Sequence, residues 1–129
     1  MSVTVKVKLY QDKIKAIEEA HTKAIEMTME SILSDIKTSQ VVPKDTGALE
    51  DSSFVDTTGI NWGYSRIIFD TPYARRMYWH PEYNFRKDKN PNAQGKWMED
   101  YITGSKKDVP QENYCVFLKQ QSGGIVKWY

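Results

Sequence analysis

The order of helical and extended patterns in this sequence predicts a mixed α+β chain. Three observations predict it. Apolar residues recur at steps of three and four from Asp12 to Ile36, two short period-two stretches flank Thr58-Gly59, and proline and glycine punctuate further short helical segments. The chain has 129 residues, enough for one domain with a modest core. With 40% hydrophobic and 27% charged residues it sits near the globular average, which argues against wholesale disorder.

The elements follow in order. Val3, Val5 and Val7 alternate with Thr4, Lys6 and Lys8, the period-two pattern of a strand with one buried face. The lysines on its other face discourage wrong edge pairing. From Asp12 the period changes. Ile14, Ile17, His21, Ile25, Met29, Ile32 and Ile36 fall on one side of a long amphipathic helix, with Lys13, Lys15, Glu18, Glu19, Lys23, Glu26 and Glu30 mostly opposite. About 25 residues of helix run close to 40 Å, longer than a small domain needs for its own core, so part of it is expected to meet a neighbour.

Pro43 is expected to close that helix. In the compact segment that follows, Asp45 or Thr46 can cap a short helix. Phe54 to Thr57 and Trp62 to Phe69 read as strands, with Thr58-Gly59 and Ile60-Asn61 supplying the turn. In the second strand Ser65, Ile67 and Phe69 share one face, and Tyr64, Arg66 and Ile68 the other. Thr71-Pro72 starts a short helix through Tyr73, Ala74, Met77 and Tyr78, ending before Pro81. Residues 80 to 94 hold two prolines, three asparagines and the cations Arg86, Lys87 and Lys89. Such a loop inside a compact domain is expected to face a partner. Asn92 caps a helix through Trp97, Met98, Tyr101 and Ile102, ended by Gly104. Asp108 and Pro110 start the last helix, through Tyr114, Phe117 and Leu118, which Gly123-Gly124 stops. The tail, with Ile125, Val126, Trp128 and Tyr129, is apolar and aromatic for a chain end.

Eighteen basic against seventeen acidic residues give a net charge of +1, so no global attraction draws the chain to nucleic acid or an anionic membrane. The start lacks the apolar run of a signal peptide, and no stretch approaches the roughly 20 apolar residues of a membrane helix. A soluble protein, intracellular when made, is expected.

Catalytic templates fail one after another. Cys115 is the single cysteine, which rules out an intramolecular disulfide and a cysteine-based zinc cluster. His21 and His80 lack a partner at ligand spacing and read as a packed helix residue and a helix end. Cys115, between Tyr114 and Val116-Phe117, reads as a half-buried thiol without a base. Asp45-Thr46-Gly47 reads as capping plus a glycine-enabled bend, and no phosphate-cradling glycine loop occurs. The expectation is a non-enzyme with no metal and no cofactor.

Arg75, Arg76, Arg86, Lys87, Lys89 and Lys96 interleave with Tyr73, Tyr78, Tyr83 and Phe85. Three readings stay open: a grip on a nucleic-acid backbone with stacked bases, a solvated face beside core aromatics, or a protein-binding loop.

Pro43-Lys44-Asp45-Thr46-Gly47-Ala48-Leu49 through Ser52 resembles the signature P-x-D-T-G-x-L-x-x-S of the minor capsid and tail-completion proteins of long-tailed double-stranded DNA phages and prophages. The similarity continues in order through Pro72-Tyr73-Ala74, Tyr78-Trp79-His80, Gly95-Lys96-Trp97 and Gly123-Gly124, covering roughly residues 9 to 124. It is closest in character to the minor capsid group of prophages in Gram-positive bacteria. The resemblance implies a long helix packed on an antiparallel sheet, assembled into a ring, often hexameric. Such a ring lies in the virion between a head-closing connector and a tail terminator or tail tube protein, around the DNA channel, after synthesis in the bacterial host cytoplasm. It carries no catalytic residues. Asp45, Thr46 and Gly47 are then expected to fix the geometry between helix and sheet. Tyr78, Trp79, His80, Tyr83, Phe85, Arg86, Lys87, Lys89, Trp97 and the tail residues are expected to contact partners. The alternative is a small DNA-binding module using the Arg/Lys–Tyr cluster around residues 73 to 96.

Overall fold

A computed structural model describes residues 1–126 of the chain. The fold is α+β. Helix α1 runs from Gln11 to Thr38, 28 residues, about 42 Å at 1.5 Å per residue. Its most deeply buried stripe is Ala20, Ala24, Thr28, Ile32, Leu33 and Ile36, so in the N-terminal half it lies beside the isoleucine stripe that the periodicity picks out. Ile14 and Ile17 stay exposed. The small side chains of Ala20 and Ala24 let a second helix approach closely, and that approach decides which face is covered. The helix stops five residues before Pro43, earlier than expected. Ser39 caps it, its N–H and hydroxyl both donating to the Asp35 carbonyl, and Gln40 turns the chain away in the left-handed region at φ 58°.

A corner follows. The short helix α2 (Ala48–Asp51) leads into strand β1 (Ser53–Asp56), which pairs antiparallel with β2 (Arg66–Phe69). Val55 opposes Ile67 and Ser53 opposes Phe69, so Ile67 and Phe69 turn toward the core as the alternation requires. On the other face Phe54 opposes Ile68 and remains exposed. Arg66 donates to the Asp56 carboxylate across the pair at 2.6 Å. Residues 60–62 form a 3-10 turn, so β2 is shorter than the sequence pattern suggests.

Helix α3 (Ala74–Tyr78) starts after Tyr73; Thr71 contributes its carbonyl to the Ala74 N–H rather than a side-chain cap. The helix expected through Trp97 to Ile102 shrinks to a 3-10 turn at Glu99–Tyr101 with Met98 at its N-cap position, and the Asn92 side-chain amide donates to the Ser39 carbonyl at 3.0 Å. Helix α4 (Val109–Gln121) carries proline in its first turn and ends at Gly123 and Gly124, both with positive φ.

The core has two parts along α1. Ile32, Ile36, Val42, Leu49, Ala74 and Trp97 pack at the sheet end. Ala20, Ala24 and Leu118 pack where α4 crosses, with Tyr114 and Phe117 beside them. The first ten residues correct the sequence reading. Met1 to Tyr10 form no strand and are exposed throughout. They pair with neither strand of the two-stranded sheet.

Candidate functional site

The region that gathers the singled-out residues is the corner at 43–52 and the long loop that crosses it. Gly47 sits at φ 89° immediately before α2, a conformation in which an L side chain is strained. The Thr46 hydroxyl accepts the Ala48 N–H at 3.3 Å, a turn contact, while the Asp45 side chain does not cap the helix. The Lys44 ammonium reaches the buried Glu50 carboxylate at 3.1 Å. Ser52 works in both directions: its hydroxyl donates to the Leu49 carbonyl at 2.6 Å and accepts the Asp70 N–H at 3.0 Å. That second bond ties the start of β1 to the end of β2.

Residues 80–95 lack regular structure, yet they are stitched down. Asn90, 3% exposed, donates to the Val42 carbonyl at 2.8 Å. The Gln94 N–H donates to Val41, Lys96 N–H to Tyr78, and the Asn92 side chain to Ser39. Arg86 holds Asp88 through two hydrogen bonds and reaches Asp45 as well, while Lys89 donates to the Asp45 carbonyl. The bonds that Arg86 donates to Asp88, then the charge of Asp88 and Asp45, hold the Arg86 guanidinium more firmly protonated than usual. Reciprocally, Arg86 lowers the Asp88 carboxyl below its ordinary range. Gly95 permits the closure, since a Cβ there would lie 2.7 Å from the Pro81 Cα. The loop is a strap across the corner.

The expected partner-facing residues therefore divide. Trp97 is 3% exposed and belongs to the core, edge-on to Phe69 and Tyr78, so it offers no surface; Tyr78 is half-buried against it. The resemblance led to the expectation of Trp97 as a contact residue, whereas it packs inside the core. Trp79, Tyr83, Arg86, Lys87 and Lys89 are exposed, and Phe85 is half-buried. His80 stacks on Tyr83 with ring centroids 4.8 Å apart and pairs with Glu82 at 2.7 Å, which lowers the Glu82 carboxyl. Ile125 is exposed, whereas Val126 packs toward the α1–α4 cluster. Trp128 and Tyr129 lie outside the described residues.

No protein-family model, no curated protein and no solved structure matches this chain.

What the region can do chemically follows from its partners. Asp45, Thr46 and Gly47 line a cleft of about 340 Å³ with Tyr73 and Met77, but the Asp45 carboxylate is engaged by Arg86. His21 spends Nδ1 on the Tyr114 hydroxyl at 2.5 Å, as a link between helices. Among the described residues no three His, Cys, Asp or Glu converge as a metal site, and no helix is long and apolar enough to cross a membrane. Sequence reasoning missed Met98 and Ile102, which line apolar clefts beside β2. The only signal for them was an apolar pair at helical spacing in a segment that does not become an α-helix.

Proposed function

We propose that the chain is a structural, non-enzymatic subunit of the neck of a tailed phage, a ring component that joins the DNA-filled capsid to the tail. The observation that carries this reading is the ordered signature, and where its residues lie. Leu49, Ala74, Tyr78 and Trp97 come from four separate signature segments and meet around one core cluster. Gly47, Ser52 and Gly95 fix the backbone around them. A signature made of corner-forming residues suits a scaffold whose surfaces do the work. The favoured ring is a hexamer between the head-closing connector and the tail terminator or tail tube protein, with DNA passing without sequence readout.

Deleting the gene from a phage that encodes this chain should yield filled heads and finished tails that fail to join, seen by electron microscopy and rescued by the wild-type gene. Joined, infectious particles without the protein would refute the role. So would lysates lacking heads altogether.

The DNA-binding alternative keeps a narrower footing. Arg75 and Arg76 stay exposed beside Trp79, whereas Arg86 is paired with carboxylates and Lys89 with a carbonyl. A filter-binding titration at low salt separates the readings: affinity that falls steeply with salt would favour the alternative.

A further inference from the structure

Two features of the molecule fit each other and are unsatisfied within one chain. The first is the segment before α1. Val3, Val5, Val7 and Leu9 are 87%, 78%, 78% and 62% exposed, on the pattern of a strand that buries one face. The second is the outer edge of β2. Among the described residues the sheet has two strands, so β2 has β1 on one side and no strand on the other. Beside it runs an apolar groove of about 410 Å³, touched by Ser65, Arg66, Ile67 and Ile68 in succession and walled by Met98 and Ile102. Successive strand residues point to opposite faces, so a groove touching Arg66, Ile67 and Ile68 lies along the strand's edge. Ile102 is 63% exposed there.

We propose that residues 1–9 of one copy add as a third strand to the outer edge of β2 in a second copy, seating Val3, Val5, Val7 and Leu9 in that groove. This rests on reading the chain as a self-assembling ring subunit. The two segments carry opposite charge, Lys6 and Lys8 in the arm and Glu99 and Asp100 between Met98 and Ile102. Insertion into the chain's own sheet is disfavoured by the connection. The Tyr10 carbonyl already accepts the Ile14 N–H of α1, leaving only Lys8 and Leu9 for a reversal, with no glycine, proline, asparagine or aspartate to make it. An arm that leaves in line with its helix reaches outward, and nine extended residues span about 30 Å. Arm into groove is a head-to-tail contact, the type that closes into rings.

The test uses the full chain, the double variant Val5→Asp/Val7→Asp and the variant Ile102→Glu, compared by native mass spectrometry and light scattering. The full chain should self-associate, and each variant should do so at least ~100-fold more weakly, from the loss of buried valine or isoleucine surface. Mixing the two variants should restore one-to-one complexes, since one supplies an intact arm and the other an intact groove. Thermal unfolding at concentrations where every form is monomeric should be unchanged by the arm substitutions.

Undiminished assembly of the double variant would overturn the arm contact and leave the neck role intact. A monomeric full chain, or no complex on mixing, would overturn it as well. A lowered monomer melting temperature in the arm variant would place the strand in its own sheet. The neck role is judged separately, by whether heads and tails join.

Discussion

The Lys44 ammonium lies 3.1 Å from the carboxylate of Glu50, whose side chain is 9% exposed. The pair spans the left-handed Gly47. Lys44→Met should destabilise the protein by about 1–3 kcal/mol, because it leaves a buried carboxylate without its charged donor. Adding Glu50→Gln should recover part of that loss. Equal melting temperatures for wild type and Lys44→Met would show the pair to be incidental.

Gly47→Val forces a β-branched side chain into φ 89°, with its Cβ 3.3 Å from the Lys44 side chain. The strain should amount to about 1–2 kcal/mol, visible as a lower urea midpoint at unchanged slope. An unaltered midpoint would mean the corner can be built without a left-handed residue.

Gly95→Ala tests the strap. The new methyl would meet the Pro81 backbone at 2.7 Å, so the loop must open where it now closes. A cost of about 1–3 kcal/mol and faster amide exchange at Lys96, which donates to Tyr78, are expected. Wild-type exchange at Lys96 would show that the strap can shift freely.

Trp97 and Trp79 are two tryptophans of one aromatic segment with opposite surroundings. Trp97→Ala should cost ~3–5 kcal/mol by emptying the core beside Phe69 and Tyr78. Trp79→Ala, on a side chain 58% exposed, should change stability little. Reversed effects would contradict the packing described.

Acid stability should depend on Asp35. The hydrogen bonds from Lys106 and then Tyr101 lower its carboxyl below the ordinary 3.8. A carboxyl depressed in the folded state contributes stability above its unfolded value and loses it as pH falls through the folded one. Asp35→Asn should therefore flatten the loss of melting temperature as pH falls from about 4, the unfolded carboxylate value. Tyr101, pushed up by burial and then by Asp35, works in the opposite sense: its contribution is present below the ordinary tyrosine value and is lost in strong alkali. An unchanged acid limb in Asp35→Asn would place the sensitivity elsewhere.

Much of the molecule follows from residues acting on their near neighbours. The three-and-four spacing from Ile14 to Ile36 makes a helix wherever it packs, because backbone hydrogen bonds close every four residues. Alternation in Ile67 and Phe69 chose the inner face of β2, and proline and Gly123-Gly124 bounded α4. Tertiary structure decided what lies opposite each face. It shifted the buried stripe of α1 to Ala20 and Ala24, because α4 needs small side chains for close approach. It took Trp97 inside, reduced the segment after it to a single 3-10 turn, and fastened the 80–95 loop through Asn90, Asn92 and Gln94 to backbone groups near residue 40. Those contacts join residues 48 to 53 positions apart, beyond the reach of any local pattern. The arm at Val3, Val5 and Val7 marks the boundary: its alternation announces a strand, but a strand needs a partner edge, and residues 1–10 pair with none in this chain.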